Sequence, residues 1–287
     1  LFGDRHSALI LTDSPITGTA RLTGHSLLAM MCVVNAEKPL LDQVAVVTGA
    51  SRGIGRAIAV DFARAGADIV VSARTTEAAP ADLPGTIDET ARLVEAEGRR
   101  ALAVACDVSK EDQVAALAEK TLAAFGRCDV LVNNAGISSP APFQATPLKR
   151  WDLVMNVNLR GPVMCMQAFL PSMTERQSGA IINVSSMLAE AVYPGMVSYS
   201  VSKIALEKLT VYTGMELKEH GIAVNALRIE LMIASEGWLY RNPGADLSRW
   251  EKPEAASEAS LWMATQPREW TGNVVTIGDV REKLAGR

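Results

Sequence analysis

The sequence predicts an α/β fold: a parallel sheet, doubly wound, with helices on both faces. Apolar runs of strand length alternate along the chain with longer segments of helical period. No two of these runs are joined by the short turn that marks a hairpin. The 287 residues, 48% hydrophobic and 21% charged, suffice to cover one large sheet.

Val44-Ala45-Val46-Val47 reads as the first strand, apolar on both faces as a buried parallel strand must be. A turn with Gly49, Gly53 and Gly55 follows, and Arg56 to Ala63 continues as a helix. Glycine lets the chain bend sharply and lets phosphates approach the backbone, while the helix start offers unpaired N–H groups. The segment Gly49-Ala50-Ser51-Arg52-Gly53 also fits the G-x-S-x-G elbow of α/β-hydrolases. That reading requires a downstream acid and then a histidine, and the only histidine after Ser51 is His220, at a polar helix end.

Ala67 to Ala73 is the second strand, ending at Arg74. A carboxylate near this position would bind an adenosine ribose 2′-hydroxyl, but the residue is basic, as is Arg52 in the turn. Two guanidinium groups suit a 2′-phosphate, so NADP is favoured and NAD stays open. Thr75 to Gly85 reads as a loop and Thr86 onward as a helix closed by Gly98. The third strand is Ala101 to Cys106, stopped by Asp107-Val108; Ser109 to Asp112 caps a helix running through Phe125. Asp129 to Val132 is the fourth strand and opens into Asn133-Asn134-Ala135-Gly136.

The second half keeps the rhythm. A long helical region carries Trp151, Val154, Asn158 and Met164. Ala180 to Val184 is the fifth strand, with Ser185 and Ser186 at its carboxyl end, where doubly wound sheets bind ligands. Tyr199 and Lys203 fall one turn apart on one face of the next helix. Ile222 to Leu227 is the sixth strand, and Thr271 to Ile277 the last.

In these motifs the chain, from about Leu41 to Val280, resembles the short-chain dehydrogenase/reductase family. The matches are Thr48-Gly49-(x3)-Gly53-x-Gly55, Asn133-Asn134-Ala135-Gly136, Asn158 in Asn-Leu-Arg-Gly, Ser186, and Tyr199-x-x-x-Lys203, with Ser186 preceding Tyr199 by 13 residues. The resemblance implies a Rossmann-like, seven-stranded parallel sheet and hydride transfer between NADP(H) and a secondary alcohol or ketone. It implies four catalytic residues: Tyr199 as acid/base, Ser186 on the carbonyl oxygen, Lys203 on Tyr199 and the nicotinamide ribose, and Asn158 on a water linked to Lys203. A nearby ammonium favours the phenolate and lowers the Tyr199 pKa. The cofactor is expected along Gly49, Ser51, Arg52, Gly53, Ile54 and Gly55. Arg74 would stand at the ribose, Asp107 and Val108 at the adenine, and Asn134, Ala135 and Gly136 beneath the middle, with Tyr199 and Lys203 at the nicotinamide end. The bland reading of Asn134 is a tie between neighbouring strands. The second functional reading is a catalytically quiet nucleotide-binding member acting as scaffold or sensor.

One departure stands out. Where the family has Pro-Gly after the sixth strand, this chain has Ile229-Glu230, and Glu230 has two candidate partners, Arg228 or a polar substrate group. The terminal Gly-Gly is replaced as well. The substrate is expected at the loop from Arg228 to Trp250, in a partly apolar pocket with Trp238, Leu239, Tyr240, Met187 and Val192. Trp238 and Tyr240 equally fit a role in packing that loop onto the core. Family likeness also implies a homodimer or homotetramer, paired through helices near 147–173 and 198–219 and the last strand.

The remainder sets bounds. A net charge of −4 gives no basic footprint for nucleic acid, and no apolar run approaches membrane-spanning length. The widely spaced Cys32, Cys106, Cys128 and Cys165 read as small core residues of a cytoplasmic protein, not as metal ligands or disulfides. Residues 1–40 read as a mobile N-terminal extension, and 41–287 as one dinucleotide-binding catalytic domain.

Overall fold

Val44–Thr48 (β1) is completely buried, and the sheet grows outward from it. The computed structural model describes residues 38–241, 243–244 and 246–286, so the expected mobile arm lies outside the described residues except for its last three. Of those three, Leu40 is fully buried and its N–H donates to the Ala65 carbonyl at 2.9 Å. From Lys38 onward the chain forms one compact unit. Asp68–Ala73 (β2), Ala101–Ala105 (β3), Val130–Asn133 (β4), Gly179–Ser186 (β5), Ile222–Ile229 (β6) and Val274–Thr276 (β7) complete a seven-stranded sheet in the order β3-β2-β1-β4-β5-β6-β7. Every pairing is parallel. Strand order reverses between β1 and β4, which leaves a crevice beyond their carboxyl ends.

The strands β1 to β6 send alternate side chains into two separate cores, as the pleat requires. Ala45, Val47, Val130, Val132, Ile182 and Leu227 face one layer, built on Gly53–Arg64 (α1), Ile87–Ala96 (α2), Glu254–Ala264 (α8) and Ile277–Ala285 (α9). Val46, Leu131, Ile181 and Val224 face the other, built on Glu111–Phe125 (α3), Gly161–Glu175 (α5) and Val197–Leu217 (α6). Leu148–Met155 (α4) leads into α5 through a π-turn over Asn156–Arg160, and Glu236–Arg241 (α7) lies in the loop after β6. Cys106, Cys128 and Cys165 are buried thiols within the second core, and burial pushes the Cys106 pKa up to about 11. Cys32 lies outside the described residues.

Several boundaries differ from expectation for local reasons. Ser109 does not cap α3: its hydroxyl and N–H both donate to Asp107 Oδ1, at 2.8 and 3.0 Å, and Lys110 takes the cap position without a side-chain bond. Glu111 and Asp112 in the first turn answer the helix dipole instead. β5 and β6 each run two residues further than expected, pairing Ser185 with Arg228 and Ser186 with Ile229. Ile229, β-branched and carrying an N–H, suits a ladder that proline would interrupt.

β7 is shorter than expected at both ends: Gly272 takes φ +76° just before it, and Thr276 turns the chain at once into α9 after it. Thr276 Oγ1 accepts from Asp279 N at 3.0 Å and Asp279 returns the bond to Thr276 N at 2.8 Å, a capping box. Glu230 completes this cap, accepting from Ile277 N at 3.1 Å and Gly278 N at 2.7 Å. Arg228 is not its partner, since that guanidinium is engaged by Glu207 and Glu190. Glu230 therefore fastens the carboxyl-terminal helix beside the end of β6. Glu230→Ala is expected to cost about 1 kcal/mol, read as a lower thermal midpoint together with faster amide exchange confined to residues 277–285.

Candidate active site

The three glycines of the first turn serve different ends. A Cβ on Gly49 (φ +66°) would lie 2.8 Å from Ala135 Cα, and one on Gly55 would lie 2.4 Å from Asn134 Nδ2 and the Gly49 carbonyl. These two permit close approach of the chain to itself. Asn134 fills that space, donating to the carbonyls of Thr48 (2.9 Å) and Gly49 (3.1 Å), while Thr48 Oγ1 accepts from the N–H groups of Asn134 and Ala135. The strand tie proposed for Asn134 is thus real, and Thr48 is its counterpart. Gly53 (φ +56°) is different: its N–H opens α1 and donates at 2.8 Å to the carboxylate of Glu236. Glu236 also meets Arg56 at 3.4 Å. The amino end of α1 therefore takes an anion, as a phosphate-binding turn should.

Ser51 is buried, and Ile54 is half-buried against the first core. Arg52 turns toward the 75–85 loop, its Nη2 donating to Thr75 Oγ1, Leu83 O and Gly85 O at 3.3, 3.1 and 2.8 Å. It clamps that loop, and burial lowers its pKa. Arg74 is exposed and lies near enough for its charge to act on Arg52. Asp107 turns one oxygen to Ser109, and Val108 is buried against Gly161.

The second cluster sits across the crevice. Asn158 lies in the π-turn, completely buried, where an extra residue in the helix turn redirects its side chain. Its Oδ1 accepts from Ile137 N and its Nδ2 donates to Ile137 O, both at 2.9 Å, and to Ser202 Oγ at 3.0 Å. Ser202 Oγ donates in turn to the Tyr199 carbonyl at 2.6 Å. The Asn158 amide is thus committed to the protein and holds the loop after β4 against the start of α6. Ser186 ends β5, its hydroxyl accepts from Leu188 N at 3.3 Å, and it lies near enough to the Tyr199 phenol to act on its ionisation. Lys203 is buried, donates to the Val184 carbonyl at 2.8 Å, and lies 5.7 Å from the Tyr199 ring centroid. A Cβ on exposed Gly136 would stand 3.6 Å from both Asn158 Oδ1 and Lys203 Nζ. The structure therefore brings Asn158, Ser186, Tyr199, Lys203 and Gly136 to one place.

Electrostatics differ from the sequence expectation. Burial raises the Tyr199 pKa, opposed by the nearby Ser186 hydroxyl. Burial also lowers the Lys203 pKa to about 8, opposed by the Glu207 carboxylate. Taking both groups out of water penalises both charged forms at once. Sequence reading missed Thr48, Ser202, Glu207 and Glu236. The signal for Ser202 and Glu207 was their spacing of three from Tyr199 and four from Lys203. Nothing local marked Glu236, whose partners are 180 or more residues away in sequence.

The loop after β6 packs on itself, with the Trp238 and Trp250 ring centroids 3.9 Å apart. Tyr240, Met187 and Val192 are exposed and Leu239 is half-buried. The hydrolase alternative fails on topology: Ser51 follows the carboxyl end of β1, whereas His220 precedes the amino end of the parallel β6. Among the described residues no cluster could hold a metal ion, and no helix is long and apolar enough to cross a membrane.

Comparison with known proteins agrees with this geometry. The family model for short chain dehydrogenase matches residues 43–233. Human hydroxysteroid dehydrogenase-like protein 2 is 36% identical over 232 residues, 80% of this chain and 55% of that protein. The chain thus spans about half the length of that relative. A 3-oxoacyl-[acyl-carrier-protein] reductase from Synechocystis is 36% identical over 236 residues, 79% of this chain and 91% of the reductase. Among solved structures, a metagenomic short-chain oxidoreductase in complex with NADP superposes with a TM-score of 0.69 at 34% identity, covering 83% of this chain and 96% of its own. A short-chain type dehydrogenase/reductase from Mycobacterium marinum gives 0.75 at 28% identity, covering 85% and 96%. With the reversed-order sheet, the glycine turn and the Ser-Tyr-Lys cluster in place, the chain belongs to the short-chain dehydrogenase family of NAD(P)-dependent oxidoreductases.

Proposed function

We propose that this protein transfers hydride between NADP(H) and an apolar ketone or secondary alcohol. The observation that carries the reading is the gathering of Ser186, Tyr199 and Lys203 at the carboxyl end of β5. When bound, the nicotinamide supplies or accepts the hydride. The chain's own residues manage the oxygen. Ser186 donates to the carbonyl and holds it, and the Tyr199 hydroxyl gives the proton that the reduced oxygen requires. Lys203, an ammonium at neutral pH with its pKa of about 8, stabilises the phenolate left behind. Asn158 fixes the geometry through Ile137 and Ser202, and its Oδ1 has a second lone pair for a water linked to Lys203.

The cofactor fits the donors present. The Gly53 N–H already holds a carboxylate, Gly136 leaves room beside Lys203, and exposed Arg74 is assigned to a 2′-phosphate, its charge close enough to act on Arg52, the loop clamp. The substrate is assigned to the face formed by Met187, Val192, Tyr193 and the loop after β6, whose exposed apolar side chains suit an acyl or steroid-like chain. Relatives named for oxoacyl and hydroxysteroid substrates support that class. Val197, Val201, Ile204, Tyr212 and Met215 line an exposed stripe on α6, which fits pairing with a second copy of the chain. The buried thiols suit a cytoplasmic setting. The scaffold or sensor reading draws on Glu236, which holds the amino end of α1 that a nucleotide needs.

Three outcomes test this. Tyr199→Phe is expected to lower ketone reduction at least about 100-fold while NADPH affinity, read by fluorescence titration, is unchanged. Retained turnover would remove Tyr199 from the mechanism. Arg74→Ala is expected to weaken NADPH binding about tenfold and leave NADH binding alone; equal effects on both would unseat the 2′-phosphate assignment. Glu236→Gln, which removes a negative charge from the phosphate turn, is expected to tighten NADPH binding about threefold, whereas weaker binding would make Glu236 a support of the site.

A further inference from the structure

Behind the Ser-Tyr-Lys cluster lies a second group of charges that the proposed reaction does not use. Glu207 stands one helical turn beyond Lys203 on the inward face of α6 and is buried. Arg228, on β6, grips it with two bonds, Nε to Oε1 at 3.0 Å and Nη2 to Oε2 at 2.8 Å. Ser185, the neighbour of Ser186 on β5, donates to Oε1 at 2.7 Å. The far side of Arg228 is paired with Glu190, just past the short turn that follows Ser186. One carboxylate thus joins the helix of Tyr199 and Lys203 to the strand of Ser186 and to the segment beyond it.

We propose that Glu207, locked by Arg228 and Ser185, is a positioning residue that keeps the buried Lys203 charged and seated behind Tyr199. The inference rests on the role given to Lys203 above and deepens it. Among the described residues, Lys203 has one hydrogen-bond acceptor, a neutral carbonyl, and no ion pair. The charged and titratable groups around it are Tyr199 and Glu207 on its own helix and Arg228 across on β6, with Glu190 outermost. The facing segments contribute only neutral groups: Val184 and Ser185 from β5, Asn158 from the π-turn, and Gly136. Among the described residues, Glu207 is the only carboxylate within one turn of Lys203 on α6. Three geometric facts suit it to act by its field and not by direct contact. Its oxygens are held by Arg228 and Ser185, it is shielded from water, and it cannot swing toward the ammonium without breaking three bonds.

The test follows the ionisation of Lys203 itself. Protein carrying isotopically labelled lysine is titrated by NMR, with the Lys203 signal assigned by its loss in Lys203→Met. The native midpoint is expected near 8. In Glu207→Gln it should fall by about one pH unit, because removing a nearby negative charge favours the neutral amine. Glu207→Asp, which restores the charge, should recover most of that shift. The alkaline limb of the ketone-reduction rate should move down with the midpoint in Glu207→Gln, with the KM for NADPH little changed. A midpoint that stays at the native value in a folded Glu207→Gln protein overturns the proposal, even if the rate falls, since a purely structural tie leaves the lysine titration in place. Should that variant fail to fold, Arg228→Met gives the opposite sign: losing a cation should raise the midpoint, and an unmoved value would equally reject the idea. If the midpoint shifts but no carbonyl compound is reduced, the assignment of Glu207 survives and the proposed reaction does not.

Discussion

The crossing of two chain segments at the Asn134 side chain is the constraint on which the rest depends. Its amide reaches the Thr48 and Gly49 carbonyls through a gap that no Cβ at position 49 or 55 would leave open. That contact fixes where the glycine turn leaves β1 and where the chain leaves β4, the two strands between which the sheet changes direction. The amino end of α1 is aimed from one side of this knot, and the loop through Gly136 to Ile137 from the other. Two of the glycines in a phosphate-binding signature are therefore required by packing within the protein, and only Gly53 presents its N–H to an anion.

Around this frame the site is assembled from polar groups taken out of water and then individually paired. Asn158 spends its amide on Ile137 and Ser202, Ser202 its hydroxyl on the Tyr199 carbonyl, and Ser185 its hydroxyl on Glu207. Such pairing is what makes burial of these groups tolerable, and it fixes their orientations at the same time. Lys203 is the exception in kind: a buried ammonium with a single neutral acceptor among the described residues. The burial that lowers the lysine's pKa also raises that of Tyr199, so the two side chains share one environment.

Much of this was legible in the sequence, for reasons that can be named. Strands buried on both faces announce themselves as runs such as Val44 to Val47, and the spacing of Tyr199 and Lys203 on one helical face is purely local. Local signals failed where partners are distant. Glu230 invited a search for a cation, yet its partners are two backbone N–H groups nearly 50 residues on, brought close only because β7 lies beside β6. The clamp formed by Arg52 was hidden because nothing in its neighbourhood revealed that the 75–85 loop would fold back onto it. Ser109 resembled a cap, and Asp107 took its hydroxyl first. In each case the type of interaction was foreseeable and the partner was not.

The rapid turn from β7 into α9 has a consequence for how the sheet ends. β7 is an edge strand of three residues, and Thr276, Asp279 and Glu230 stop it by satisfying the first turn of a helix. A longer strand at that border would expose a row of unmatched N–H and C=O groups, a template on which another chain could add itself. By turning into a capped helix directly after Thr276, the carboxyl-terminal region leaves little backbone at that edge for unwanted strand addition.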